Sequence, residues 1–184
     1  MTDFNINLTG VGDAWPVVPE GTFNAVVNSI GQYIKEDTKN IVWIVDLTIT
    51  QRGDYQGEKV RYYHTYTVNK PSMAKRNMVR WLRALGTLDD TQTSGDPSIE
   101  LKMELQYGKT DEQGVREVKA IVINGKQYDV TSLKCNAVSN PRMIVDDLGN
   151  ERQVTSIQAL EPYGPTMAAS TSKAKEDLWS SFPK

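Results

Sequence analysis

Hydrophobic and polar residues alternate along several segments of the chain, a pattern typical of half-buried β-strands. The clearest segment is 41–50, where every odd-numbered residue from Ile41 to Ile49 is apolar and Asp46 and Thr48 lie on the opposite face. Trp43 belongs to the apolar set, which favours assigning its indole to the core, although the ring would also suit stacking on a base. Further alternating segments predict strands at 22–34, 59–68, 99–108, 115–125, 141–145 and 150–160. Gly31 marks a bulge or bend in the first of them.

The period changes to that of a helix between Pro71 and Gly86. Ala74, Met78 and Leu82 recur at the spacing of a buried stripe, while arginines fall on the other side. Proline near the start and glycine at the end are the expected boundaries of such a helix.

Three strands, a helix and two strands in this order are the element order of the OB-fold, a five-stranded, partly open barrel. The fold class we expect is therefore mainly β with one α-helix: an OB-fold barrel with the helix between strands 3 and 4, plus an extra C-terminal hairpin. The domain organisation follows from composition. Residues 1–20 form an N-terminal arm, 21–161 the domain with its added hairpin, and 162–184, rich in small and polar residues, a flexible tail.

The segment KVRYYHTYTV (59–68) combines three tyrosines, the only histidine and two cations in one strand. Alternation places Tyr62, His64 and Tyr66 on one face, which we assign to packing. Lys59, Arg61 and Tyr63 lie on the other face. Cations beside an exposed ring suit a single strand of nucleic acid, because the cation contacts phosphate and the ring stacks on a base.

Composition limits which classes of protein and which kinds of site are compatible with this chain. A net charge of −2 argues against a broadly basic duplex-binding protein, although residues 59–83 contain seven cations and no acid. One cysteine and one histidine exclude an intramolecular disulfide and a conventional zinc site. With no apolar run near the roughly 20 residues of a membrane span and no signal-peptide pattern, we expect a protein of the host-cell cytoplasm without membrane contact.

Three segments, PEGTFNAVVNSIG, DYQGEKVRYYHTYTVN and MVRWLRALG, resemble phage-encoded single-stranded-DNA-binding proteins, a family long catalogued as a domain of unknown function. The resemblance covers roughly residues 17–125. It implies an OB-fold, no catalysis and no cofactor, and work alongside a phage replication or recombination machinery. Only Arg61 and Tyr63 carry over as binding positions.

The turns of such a barrel supply further candidates, because OB-folds also bind through loops. Each is a ring or a cation placed in or beside a predicted turn: Tyr33, Lys35, Lys39, Tyr55, Tyr107 and Lys109. Near the C-terminus, Asp177, Leu178, Trp179 and Phe182 form an apolar and acidic cluster suited to docking phage or host replication proteins. A homo-oligomer is also compatible with the sequence.

Two other functions stay open. A virion or assembly protein with a β-barrel core would have similar composition, and its arms would then be the functional parts. A metal-dependent nuclease is the less favoured alternative: Glu100, Leu101, Lys102 and Glu117, Val118, Lys119 give the E-x-K spacing of such enzymes. Glutamate and lysine two residues apart are, however, an ordinary pair on the solvent face of a strand. We therefore predict no catalytic residues.

Overall fold

The computed structural model describes residues 16–88 and 101–166. Within these ranges the chain is mainly antiparallel β structure with one α-helix between the third and fourth strands. The elements are β1 (Gly21–Ile34), β2 (Ile41–Ile49), β3 (Lys59–Tyr66), α1 (Pro71–Ala84), β4 (Met103–Thr110), β5 (Arg116–Ile123), β6 (Lys126–Asp129), a 3₁₀ turn (Val130–Ser132), β7 (Lys134–Ser139), β8 (Arg142–Val145), β9 (Glu151–Val154) and β10 (Ile157–Pro162).

The long strand β1 organises the sheet. One of its edges pairs with β2 over most of its length, and the other pairs first with β7 and then, from Ile30 to Gln32, with β5. The sheet therefore continues along two branches, β10-β7-β1-β2-β3 and β1-β5-β4, and β6 pairs with the same edge of β5 as β1 does. Because one strand belongs to both branches, the sheet curls into an OB-like half-barrel.

Helix α1 packs against the curled sheet. Pro71 opens it, and the apolar stripe predicted from the sequence is buried, with Trp81 added to it. At the C-terminal end Gly86 has a φ of 76°, and the Thr87 amide donates to the Leu82 carbonyl. This is a Schellman-type stop, which a residue without Cβ adopts at no steric cost.

The core lies between the concave face of the sheet and α1. The odd-numbered apolar residues of β2 contribute to it as predicted, and Trp43 is 3% exposed. Its indole stacks on Trp81 at 5.4 Å between ring centroids. The assignment of Trp43 to the core is therefore confirmed.

The C-terminal part departs from the sequence prediction. Strands β6 and β7 were not predicted, and the segment 150–160 is two strands rather than one. The first of these, β9, pairs with β8 as the extra hairpin, while β10 joins the main sheet beside β7. The bulge in β1 lies between Val27 and Ser29, so the bulge predicted at Gly31 was misplaced.

Packing extends past the domain boundaries drawn from composition. Val18 is buried, and its carbonyl accepts a hydrogen bond from the Ser139 hydroxyl. At the other end the Thr166 hydroxyl donates to Gln51, and Thr166 is buried. In the described part of the chain, no helix has the length and apolar character needed to cross a membrane.

Candidate nucleic-acid interface

Strand β3 presents two different faces, as its sequence predicted. Val60 and His64 are buried, whereas Lys59, Arg61 and Tyr63 are exposed. Tyr63 is 54% exposed, which places it among the most accessible large hydrophobic residues of the described chain. A shift of one residue would have exchanged these faces, so the facing on which a binding role depends is confirmed.

The cation at the centre of this face is paired. Arg61 donates from Nε to Asp46 Oδ1 at 2.6 Å and from Nη2 to Asp46 Oδ2 at 3.2 Å. Asp46 lies directly opposite on β2 and also accepts from the Ser29 hydroxyl at 3.3 Å. The hydrogen bond to Asp46 is the main reason that the pKa of Arg61 is raised, with a smaller contribution from Tyr63. The guanidinium is therefore charged and held in place by a carboxylate.

Sequence analysis missed Asp46 as a site residue. Its signal was present, because alternation in β2 already placed it on the outward face. What the sequence lacked was the register that sets Asp46 opposite Arg61.

A cleft of about 570 Å³ opens beside this pair. Its floor is the outer face of β1 and β2 with Arg61 at one side, and its wall is the turn between β4 and β5 with Lys109. The floor comes close to the wall at Gly31, where an added Cβ would lie 2.6 Å from Val115 Cγ1. Glycine thus permits the close approach of the β4–β5 turn, a role different from the predicted bend.

The depression continues along β3. A second hollow of about 460 Å³ is lined by Asn28, Ser29, Asp46, Lys59, Val60 and Arg61. Lys59 thus extends the line of cations that begins at Lys109. Cations and acids are balanced along this path, because Asp46, Asp111 and Glu117 also line the cleft.

A second ring shares the outer face with Tyr63. Tyr33 is opposite Val42 near the end of β1, and alternation places it on the same side as Gly31. It is therefore a half-buried strand residue rather than a turn residue. With one strand between them and an offset of two residues along the strand, Tyr33 and Tyr63 lie roughly 12 Å apart. Lys35 and Lys39 are exposed in the following turn, as predicted.

Two predicted stacking rings are used for packing instead. Tyr55, in the β2–β3 turn, is half-buried and meets the edge of Phe23 at 6.2 Å between centroids. Tyr107 lies within β4, donates its hydroxyl to Gln32 Oε1 at 3.1 Å and carries the Arg116 guanidinium over its ring at 3.9 Å. Lys109 is also in β4 rather than in the turn, but its side chain reaches the cleft.

The histidine lies inside the domain. His64 is 5% exposed and stacks on Trp81 at 4.8 Å between centroids with an interplanar angle of 6°. Burial lowers its pKa from the ordinary 6.5 to about 4. His64 is thus a neutral packing residue near pH 7, as its face in the sequence predicted.

The residues considered for a nuclease are dispersed. Glu117 and Lys119 lie on the outer side of β5 with Val118 buried between them. Glu100 lies outside the described residues, as do Asp177, Leu178, Trp179 and Phe182 of the tail. Among residues 16–88 and 101–166, no three or more His, Cys, Asp or Glu side chains are grouped so as to hold a metal ion.

In comparisons with known proteins, no family model matches the chain, and no curated protein matches it.

Proposed function

We propose that this protein binds single-stranded DNA with little sequence preference, through the outer face of β1–β3 and the cleft beside it. The observation that supports this best is the grouping of Arg61, Lys109 and Lys59 along one depression, with the exposed Tyr63 ring on the same strand face as Arg61. The OB-like half-barrel carries this face where such folds hold oligonucleotides.

The mechanism divides the work between two kinds of side chain. The three cations contact successive phosphates, while Tyr63 and Tyr33 stack on bases, which a ring does whatever the base. The β4–β5 turn walls one side of the cleft. A single strand can lie between this wall and β3, and we expect a duplex to be excluded.

The balance of charges sets the expected salt dependence. Three phosphate contacts to a single strand predict a slope of log K against log salt of roughly −2. Such a shallow slope means that stacking supplies a large share of the binding free energy.

Titration of fluorescently labelled oligo-dT, followed by anisotropy at two salt concentrations, tests the proposal. Tyr63→Ala should weaken binding about 5- to 150-fold, the loss of one stacked base, while Tyr63→Phe should bind nearly as the unaltered protein does. Tyr163→Ala is the matched control, because Tyr163 is also exposed but lies outside the cleft. Absence of binding at low salt would refute the function. If Tyr63→Ala bound with unchanged affinity, the assignment of the outer face of β3 as the binding surface would be refuted.

The cellular setting follows from the same proposal. We place the protein in the cytoplasm of the host cell, acting without catalysis in phage DNA replication or recombination. Its tail residues Asp177, Leu178, Trp179 and Phe182 would dock phage or host replication proteins. The segments that resemble phage single-stranded-DNA-binding proteins support this setting.

A virion or assembly role is the second candidate, and the exposed apolar side chains of the β8–β9 hairpin favour it. The oligo-dT titration separates the two functions, because an assembly protein would not bind the oligonucleotide. Repeating the titration with magnesium tests the nuclease alternative: we expect the oligonucleotide to remain intact.

A further inference from the structure

The hairpin formed by β8 and β9 stands apart from the main sheet. Its two strands pair with each other and, among the described residues, with no other strand. Isolated two-stranded hairpins are marginally stable in water, so a contact with another surface would stabilise this one. We call residues 142–154 the arm.

The arm exposes apolar side chains. Met143 and Val145 alternate onto the same face of β8, and both are largely exposed. Leu148, in the turn at its tip, is 86% exposed, so it is not docked on its own domain. Three large apolar groups on one short hairpin are more than scattered surface residues, and they indicate a surface that another molecule covers.

A second turn in the same protein shows that Leu148 is not required by the turn itself. In the β8–β9 turn, Asp146 Oδ1 accepts from the amides of Leu148 and Asn150, and Gly149 has a φ of 81°. The β4–β5 turn has the same bonds, from Gln113 and Val115 to Asp111 Oδ1, and Gly114 also has a φ of 81°. Glutamine thus occupies in one turn the position that leucine occupies in the other. A reason outside the turn must account for the leucine.

A concave apolar surface that could receive the arm lies elsewhere on the domain. It is a groove of about 580 Å³ between α1 and β4. Its lining includes Ile41, Tyr66, Met78, Val79, Met103 and Leu105. Most of these side chains are only partly buried. The groove forms because β3 and β4, which flank this side of the half-barrel, make no ladder in the described part of the chain.

Charge at the rim complements the tip of the arm. Lys75 lines the groove and is exposed, and Asp147, next to Leu148, is exposed at the tip. A leucine flanked by a free carboxylate suits an apolar groove with an ammonium at its edge. We propose that the arm tip of one copy of this protein docks into the α1–β4 groove of a second copy.

This association does not depend on the proposed DNA binding, because neither Leu148 nor the groove belongs to the cleft. Arm and groove are different patches, so copies can exchange arms in a closed pair or join head to tail.

Sedimentation velocity of the full chain without DNA, at low salt and across a wide range of protein concentration, tests the proposal. We expect reversible self-association. Leu148→Gln introduces the residue found at the equivalent position of the β4–β5 turn. It should raise the dissociation constant at least about tenfold while the fold is retained. Gln153→Ala, a polar change on the same arm, should leave the dissociation constant unaltered. A protein that stays monomeric throughout, or a Leu148→Gln variant that associates as before, would overturn the docking of the arm.

A charge exchange identifies the groove. Asp147→Lys and Lys75→Glu should each weaken association a few-fold. When the two variants are mixed, association should return, because the new lysine of one copy meets the new glutamate of the other. Failure of the mixture to recover would show that the arm docks elsewhere and would overturn the assignment of the α1–β4 groove.

Discussion

Replacing Asp46 with asparagine should strengthen binding of single-stranded DNA. The Asp46 carboxylate is paired with the Arg61 guanidinium and so competes with a phosphate for it. Both bonds of the Arg61 fork end on its carboxylate. Asparagine keeps the size and can still accept from Ser29, but it removes the negative charge. The substitution therefore changes the competition for Arg61 with little change in shape.

The exposure of the pair sets the size of the effect. The Arg61 and Asp46 side chains are 51% and 37% exposed, so the pair belongs to the surface class worth about 0.2 to 1 kcal/mol. DNA no longer has to displace this contact in the variant, which corresponds to an affinity gain of about 1.5- to 5-fold. Because Arg61 contacts a phosphate in both proteins, the salt slope should stay near −2. The same pair stabilises the fold, so the free energy of unfolding should fall by a similar amount.

Anisotropy of labelled oligo-dT over several salt concentrations measures both quantities. Asp54→Asn is the matched control, because it removes the same charge from an exposed position in the β2–β3 turn. Adding Arg61→Ala should abolish the affinity gained by Asp46→Asn, since no guanidinium is then left for a phosphate to contact. Equal gains for Asp46→Asn and Asp54→Asn would show that only net charge matters. A weaker-binding Asp46→Asn variant would refute the competition altogether.

Three further predictions concern the folded domain. His64 stays neutral when folded but takes up a proton when unfolded, so between pH 7 and pH 4 stability should fall by about 3 kcal/mol on its account; a His64→Phe variant that loses as much stability in urea titrations would contradict this. Gly31→Ala should cost about 1 to 3 kcal/mol through the clash with Val115, and Val115→Ala in the same chain should recover part of it, as urea unfolding would measure. Cys135 is fully buried with its pKa raised to about 12, so it should react with a thiol reagent only as fast as the protein unfolds, and rapid labelling of the native protein would refute that expectation.

The elements that could be predicted from sequence are those with one buried side. In β2, β3 and α1, apolar residues recur at the period of the element, because the opposite side meets water. Strand β7 lacks this contrast. It lies between β1 and β10, and Cys135, Asn136 and Ala137 are buried in succession. A strand covered on both faces has no alternation to detect.

Sequence predicts the facing of a side chain less well where a strand is irregular. Tyr107 and Lys109 are two residues apart in β4, which in a regular strand places both on one face. The pairing of β4 with β5 shifts between Tyr107 and Thr110. Tyr107 accordingly lines the α1–β4 groove while Lys109 reaches the cleft. The local signal of that shift is Gly108, which lies between the two residues, because a glycine within a strand often marks a bulge. Both residues were instead predicted in or beside the following turn.

The charge of the candidate site is a property of tertiary neighbours rather than of any one segment. Residues 59–83 contain no acid, which suggests a cationic surface when that stretch is considered alone. Folding places beside it Asp46 from β2, Asp111 from the β4–β5 turn and Glu117 from β5. Each acid faces the cleft because of a pairing register that spans many residues of chain. Long-range attraction for a polyanion is therefore weak at this surface, and the DNA binding that we propose there would depend on Tyr63 and on phosphates that displace Asp46 at short range.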